Sequence, residues 1–367
     1  MSGKTAARKT AARGPAPRHE RVLAWYDRHG RDLPWRVRGG PHPDPYHVWL
    51  SEIMLQQTTV AAVAPYFHKF LRLWPTVAAL AAAPVEGVLD AWAGLGYYAR
   101  ARNMHRCAQT VCADFDGAFP DDEVRLRGLP GIGPYTAAAI AAIAFGRRAS
   151  VVDGNVERVV ARLHAVEAPL PGAKAELGDL AAALLPAEPA ADFRYGDFAQ
   201  AMMDLGATVC LPRSPRCGLC PLAADCAGRA AGIADSLPRR AAKVPRPTRR
   251  GVIFWIEGPQ GAVLLRRRPK SGLLGGMLEL PTTDWREAPW IPEEAQAMAP
   301  AGTAWRPLPG LVRHTFTHFH LELAVWVGSA VPGEATGDWV PAGDLEKLAL
   351  PTVMRKAMAH AQAATKG

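Results

Sequence analysis

Cys210, Cys217, Cys220 and Cys226 follow one another with the spacing Cys-x6-Cys-x2-Cys-x5-Cys, and the only other cysteines in the chain are Cys107 and Cys112. Four thiolates on one short irregular segment can wrap a tetrahedral zinc or an iron–sulfur cube, because both need soft sulfur donors at close quarters. Disulfides are the competing reading, but without a secretory signal reduced thiols more often bind metal. Spacing alone does not decide between zinc and iron. Zinc sites usually pair two short Cys-x2-Cys knuckles; here only Cys217 and Cys220 form one, so the irregular flanks lean toward a cluster. Two acids also stand in settings that suggest chemistry. Glu52 lies in Asp-Pro-Tyr-His-Val-Trp-Leu-Ser-Glu-Ile-Met-Leu-Gln-Gln-Thr (44 to 58), read as a helix opened by Pro45, with apolar neighbours Val48, Trp49, Ile53 and Leu55. Asp153 follows Val151 and Val152 and precedes Gly-Asn-Val, where it can cap a helix beginning near Asn155. Taken singly, a glutamate on a helix is usually a solvated face and an aspartate before Gly-Asn is usually only a cap.

The elements that must position these residues fall into two styles. With 367 residues, 49% of them hydrophobic, the chain can bury cores for about two domains. No apolar run approaches the roughly 20 residues of a membrane span; the longest, Ala137 to Phe145, is alanine-rich. A formal net charge of +9 suggests a polyanionic partner. Residues 1 to 18 hold Lys4, Arg8, Lys9, Arg13 and Arg18 without an acid and read as a disordered basic tail, either similar to a transit peptide or an arm that rests on phosphate. Residues 19 to 227 are helical in pattern. A basic, proline-punctuated linker is expected over 228 to 250. Beyond it, runs such as Gly251 to Glu257 and Ala262 to Arg266 are short, β-branched and turn-bounded, as strands are. Within the helical part, Leu-Arg-Gly-Leu-Pro-Gly-Ile-Gly-Pro-Tyr-Thr (126 to 136) reads as a helix-hairpin-helix. Gly131 and Gly133 permit a tight turn whose amides, with the amino end of the next helix, can face a phosphate whatever the base sequence.

Together the motifs become recognisable. Trp-Leu-Ser-Glu-Ile-Met-Leu-Gln-Gln-Thr (49 to 58), Gly-Leu-Gly-Tyr-Tyr-Ala-Arg (94 to 100), Leu-Pro-Gly-Ile-Gly (129 to 133), Val-Asp-Gly-Asn-Val (152 to 156) and the four cysteines closely resemble the adenine DNA glycosylases, over roughly residues 19 to 360. The resemblance implies an α+β multidomain fold: an all-α helix-hairpin-helix glycosylase domain with an iron–sulfur cluster loop over 19 to 227, then a Nudix-like α/β domain over 251 to 360. It implies a 4Fe-4S cluster on Cys210, Cys217, Cys220 and Cys226. The implied substrate is double-stranded DNA in which adenine faces 8-oxoguanine or guanine, and the implied work is base excision repair in the bacterial cytoplasm and nucleoid by a monomer without a membrane partner.

The resemblance also distributes roles. Glu52 would protonate the imidazole ring of the extruded adenine, and Asp153 would steady the sugar cation, two carboxylates dividing labour as in glycoside hydrolysis. An ordinary glutamate is protonated only about once in 500 at pH 7, so Glu52 is expected in an apolar site and Asp153 in a hydrogen-bonded one. Tyr135 and Asn155 complete the catalytic group, with Tyr135 expected to hydrogen-bond near Asp153 and Asn155. Arg31, Trp35, Leu55 and Gln200 match positions lining the adenine pocket, and Arg36 one near the acid. Gln57 and Tyr97 would enter or flank the opened base stack, with Leu95 beside them; Thr58 would approach the lesion base. Arg213 and Arg216, inside the cysteine loop, would make it a second contact to the DNA backbone.

Endonuclease III proteins share this scaffold but carry, where Tyr135 stands, a lysine that attacks the sugar as an amine. A phenol cannot form that Schiff base, so a monofunctional glycosylase is expected, with a bifunctional glycosylase-lyase for oxidised pyrimidines and a non-catalytic iron–sulfur DNA-binding protein as the alternatives. After the linker, Arg268 to Pro281 is similar to a Nudix segment yet lacks the glutamate-rich metal box, so pyrophosphate hydrolysis is not expected. Phe316, Thr317 and His318 match the family's 8-oxoguanine-reading loop, with threonine in place of serine, and Leu274 stands where relatives commonly carry tryptophan. His314, His318 and His320 alternate as on one face of a strand, which leaves a metal site as the lesser reading there.

Overall fold

The computed structural model describes residues 16–190, 192–242, 245–269, 272–348 and 350–365. Four of the five basic residues of the expected tail, Lys4, Arg8, Lys9 and Arg13, lie outside them; the fifth, Arg18, opens the first helix. The chain divides into two compact units, one drawn from Met1–Ala81 and Arg106–Ala242, the other from Ala82–His105 and Lys243–Gly367. Residues 82 to 105, read from sequence as part of the helical region, cluster with the second unit, where Arg102 donates to the Gly275 carbonyl at 2.6 Å. The expected linker also carries structure at both ends, a helical turn over Ala227–Ala230 and a strand that starts at Thr248.

The first unit is helical because its apolar residues recur on helical faces and its caps are explicit. Pro45–Leu55 starts on Asp44, whose side chain accepts from the Tyr46 amide at 2.8 Å, with proline in the first turn where no amide is needed. Pro134–Phe145 is buried on every side from Thr136 to Ala144, so alanine at most positions lets neighbouring helices approach closely. It stops at Gly146, whose φ of 60° is open to glycine. The short helix Glu123–Gly128 precedes it, and the turn between them passes through Gly131 at φ 79°. Gly154–Leu163 is capped by Asp153, and Tyr195–Thr208 packs against it through Gly206, where a Cβ would come within 2.5 Å of the Asn155 side chain. No helix among the described residues is long and apolar enough to cross a membrane.

Among the described residues the second unit is built on seven strands: β1 (Thr248–Glu257), β2 (Ala262–Arg267), β3 (Leu278–Glu279), β4 (Arg306–Pro307), β5 (Val312–Thr315), β6 (His320–Ser329) and β7 (Asp338–Pro341). They form one mixed sheet in the order β3-β2-β1-β6-β4, with β5 also on β6 and β7 also on β2. The parallel pair β1 and β6 runs from Thr248 opposite His320 to Glu257 opposite Ser329. Both faces of β1 are covered, which is why Val252 to Ile256 is an unbroken apolar run. On one face Ile253, Trp255, Leu321 and Leu323 meet Val353, Met354 and Ala357 of the last helix, Thr352–Thr365. On the other, Val252, Phe254 and Ile256 meet Ala295, Ala301 and Trp305.

The three histidines do not share a strand face. His314 is on β5 and His320 opens β6, while His318 belongs to the turn that joins them. Rather than forming a metal site, His314 packs edge-on against Phe316 and His320 bonds through Nδ1 to the Thr315 hydroxyl at 2.9 Å.

Candidate active site

A cavity of about 530 Å³ opens in the first unit, and both acids line it. Glu52 reaches it from the Pro45–Leu55 helix. Val48 and Trp49, one turn earlier on the same helix, are buried as well, and Glu52 as a residue is only 6% exposed. Burial pushes Glu52 up to about 7 from an ordinary 4.5. The Tyr135 hydrogen bond and the Arg36 charge pull the other way, and Asp153 adds to the rise. The Tyr135 hydroxyl donates to Glu52 Oε2 at 2.8 Å and lies 3.3 Å from Met203 Sδ. This corrects the expected partner. Tyr135 serves the acid directly, since position 135 is in the first turn of the buried helix that faces Glu52.

Asp153 sits in a different environment. Its Oδ1 accepts from the amides of Asn155 at 2.9 Å and Val156 at 2.8 Å, and its Oδ2 accepts from Asn155 Nδ2 at 2.7 Å. The residue is therefore a helix cap, as its sequence setting suggested, and also a cavity-lining carboxylate held by three donors. Asn155 is steadied in turn by Arg158, which donates to Asn155 Oδ1 at 2.8 Å and to the Gly206 and Cys210 carbonyls, each at 2.7 Å.

The cavity also brings together Arg31, Trp35, Arg36, Leu55, Gln57, Thr58 and Gln200. Trp35 is buried edge-on to Phe67, and Gln200 is buried with its amide on the Gly196 carbonyl at 3.3 Å. Gln57 is exposed just beyond the helix that carries Glu52, in a left-handed conformation with φ 57°. Such strain in a residue other than glycine marks positions where exposure of the side chain is worth the cost. In the second unit Tyr97 shows the same pairing, φ 48° and 52% exposed, with Arg100 stacked on its ring and Leu95 buried nearby in sequence.

Several residues of the cavity region were not singled out from sequence, and three of them bond to or touch the predicted ones or the cavity wall. Asp204 is fully buried and bonds to both Arg31 and Arg36; Gln56 also lines the wall and reaches the Thr136 hydroxyl at 3.3 Å; Met203 touches Tyr135. The available signal for Asp204 was a lone acid in the otherwise apolar stretch Ala-Met-Met-Asp-Leu (201 to 205).

The remaining expected residues lie elsewhere. Gly131 and Gly133 are exposed at the hairpin, and the helix that starts at Pro134 has no side-chain cap, so its first amides are open to an anion. Phe316, Thr317 and His318 form the β5 to β6 turn, closed by the Phe316 amide on the Phe319 carbonyl at 2.9 Å. Phe316 and Phe319 pack together beneath it, which leaves Thr317 and His318 exposed at the tip. In the Nudix-like segment the acid Glu279 is buried and paired with Arg266 and Arg268, so it is committed to structure.

Cys210, Cys217, Cys220 and Cys226 form no disulfides and line one small, almost wholly apolar cavity with Val159, Arg162 and Leu222. All four cysteines line this one cavity, which brings the four thiols of the segment to a single place. Arg162 tests the fit. It is 1% exposed and donates to Cys210 Sγ at 3.3 Å and to the carbonyls of Leu211, Pro212 and Leu237, with no carboxylate among these partners. A buried guanidinium without a carboxylate needs negative charge nearby, and metal-bound thiolates supply it.

Comparison with known proteins agrees with this geometry. Residues 50–178 match the HhH-GPD superfamily base excision DNA repair protein, residues 210–226 the iron-sulfur binding domain of endonuclease III, and residues 252–360 the NUDIX domain. An adenine DNA glycosylase of Homo sapiens is 36% identical over 91% of this chain and 72% of its own length. One of Rattus norvegicus is 34% identical over 91% and 76%. One of Mycobacterium tuberculosis (strain ATCC 25618 / H37Rv) is 46% identical over 61% of this chain and 73% of its own. The chain binds iron and sulfur through a segment of the endonuclease III type, carries its two acids in one cavity, and belongs to the adenine DNA glycosylase family.

Proposed function

We propose that this protein removes adenine mispaired with 8-oxoguanine or guanine from duplex DNA, as a monomeric, monofunctional glycosylase of base excision repair. The observation that carries the reading is the pair of unlike carboxylates in one cavity. Glu52, pushed up to about 7 by burial, is protonated about half the time at neutral pH, so it is both a competent proton donor and a recyclable one. It delivers its proton to the imidazole ring of an extruded adenine and makes the purine a better leaving group. Asp153, fixed by three donors in the same cavity, takes the role of stabilising the oxocarbenium ion that develops on the sugar, or of bonding to it transiently. Tyr135 orients the acid and Asn155 orients its partner.

Adenine in a duplex is shielded by stacking, and its extrusion costs a few kcal/mol. The exposed, left-handed Gln57 and Tyr97 suit residues that fill the gap, and Arg31, Trp35, Leu55 and Gln200 suit the walls of a purine pocket. The open amides after Gly133 and the exposed Arg213 and Arg216 give contacts to phosphate that ignore sequence. The exposed Thr317 and His318 tip offers a hydroxyl and an imidazole for reading 8-oxoguanine. The match of residues 210–226 to an iron-sulfur binding domain, with the buried Arg162 on one of the four cysteines, supports a 4Fe-4S cluster. That cluster would supply a fixed scaffold for the loop and no step of the reaction.

The test uses duplexes with adenine opposite 8-oxoguanine, adenine opposite guanine, or an oxidised pyrimidine, with free base measured before and after alkali. Adenine release with strand scission only after alkali is expected. Release of the pyrimidine, or a borohydride-trappable adduct, would instead favour the endonuclease III reading.

A further inference from the structure

Between Gly30 and Asp44 the chain has no regular secondary structure, yet this segment supplies Arg31, Trp35 and Arg36 to the cavity. Something outside the segment must set where its side chains point. One side chain holds both arginines. Asp204, fully buried on the Tyr195–Thr208 helix, accepts four N–H groups on its two oxygens. Oδ2 takes the Arg31 amide at 2.8 Å and Arg36 Nη1 at 2.7 Å; Oδ1 takes Arg31 Nε at 2.6 Å and Arg36 Nη2 at 2.9 Å. The Arg36 contact is a two-pronged fork, the geometry that fixes a guanidinium plane as well as its place. The donors stand 173 and 168 positions away in sequence, so the link is made only by the fold.

Charge follows geometry here. Two guanidiniums and one carboxylate leave a net single positive charge in this cluster, and of its members Arg36 acts on Glu52. The other groups that face Glu52 are Tyr135 and Asp153, and the other group that faces Asp204 is Tyr26, whose hydroxyl burial keeps neutral. Without Asp204, the Arg36 charge that acts on Glu52 would stand uncompensated and favour the acid's ionised, inactive form.

We propose that Asp204 is the positioning residue of this pocket, locking Arg31 and Arg36 in one orientation beside Glu52 and cancelling one of their two charges. The inference rests on the function proposed above, and its test separates the two. Asp204→Asn and Arg36→Met are compared with the parent, as full-length cluster-loaded proteins, for single-turnover adenine release from pH 5 to 9. Asp204→Asn raises the local charge by one and is expected to move the alkaline limb of the profile about one unit toward acid, with release at pH 8 roughly tenfold slower. Arg36→Met lowers the local charge by one and is expected to move the same limb toward alkali. A purely structural role would slow both variants and move neither limb, and that outcome overturns the proposal. Should Asp204→Asn fail to fold by circular dichroism, an unmoved limb in Arg36→Met alone still overturns it. A parent protein that releases no adenine would defeat the proposed function instead.

Discussion

Replacing Glu52 by glutamine should abolish catalysis and at the same time make the protein more stable, by an amount that depends on pH. Burial moves Glu52 from 4.5 to about 7. At pH 4 and below, the carboxyl carries its proton in both the folded and the unfolded chain, and the fold pays nothing for it. Between 4.5 and 7 the folded chain keeps a proton that the unfolded chain has lost, so the cost grows as pH rises; above 7 both are ionised and the full cost, about 3 kcal/mol, is present. Glutamine has the same shape and carries no such cost, although its amide introduces pH-independent terms of its own. The informative quantity is therefore the difference between variant and parent at pH 8 minus that at pH 5, expected at about 2 to 3 kcal/mol. For a folding unit of about 200 residues this corresponds to roughly 5 to 10 °C in Tm. Matched thermal scans at the two pH values measure it, and single-turnover release should fall by roughly 10²- to 10⁴-fold in the same protein. A stability difference that does not change with pH would refute the claim that burial opposes the ionisation of Glu52, whatever the variant's activity.

Asp153→Asn keeps a good helix cap, so its stability should stay within about 1 kcal/mol of the parent while adenine release drops on the order of 10²-fold or more; equal loss of both would make Asp153 a cap and nothing else. Tyr135→Phe removes the hydrogen bond that lowers Glu52, so the acid's apparent pKa should rise and the alkaline limb of the rate profile move to higher pH; a shift the other way would contradict the contact. Arg162→Met takes the buried cation from Cys210 and should yield protein with less iron per chain and weaker duplex binding; full iron content and unchanged affinity would show that the guanidinium serves only the carbonyls.

What could be read from sequence was what neighbours in the chain decide. The Asp44 and Pro45 start of the Glu52 helix, the Asp153 cap, the short turn-bounded apolar runs of β1 and β2 and the spacing of the four cysteines all depend on residues within a few positions of one another. Even the burial of Glu52 was foreshadowed locally, because Val48, Trp49 and Leu55 lie one turn away on its own face. The histidine reading failed for a local reason too. The β5 to β6 turn is made by Thr317 and His318 without glycine, asparagine or proline, and it is held by two phenylalanines packing beneath it, so nothing in the residue types marks a break in the strand.

Partners chosen across the fold were out of reach, and the cavity shows why this matters for function. Tyr135 was expected to bond near Asp153 and Asn155, and only the direction of its buried helix turns its hydrogen bond to Glu52. Asp204 looked like any single acid in an apolar helix, yet burial without water obliges a carboxylate to find as many donors as it can. The donors it found are the two arginines of a segment with no structure of its own. The acid's working range near neutral pH is therefore a property of several chain segments at once. Desolvation by its own helix raises it, while a tyrosine from a second helix and an arginine held by a third oppose the rise. Changing any one of these should leave the reaction possible and displace the pH at which it runs.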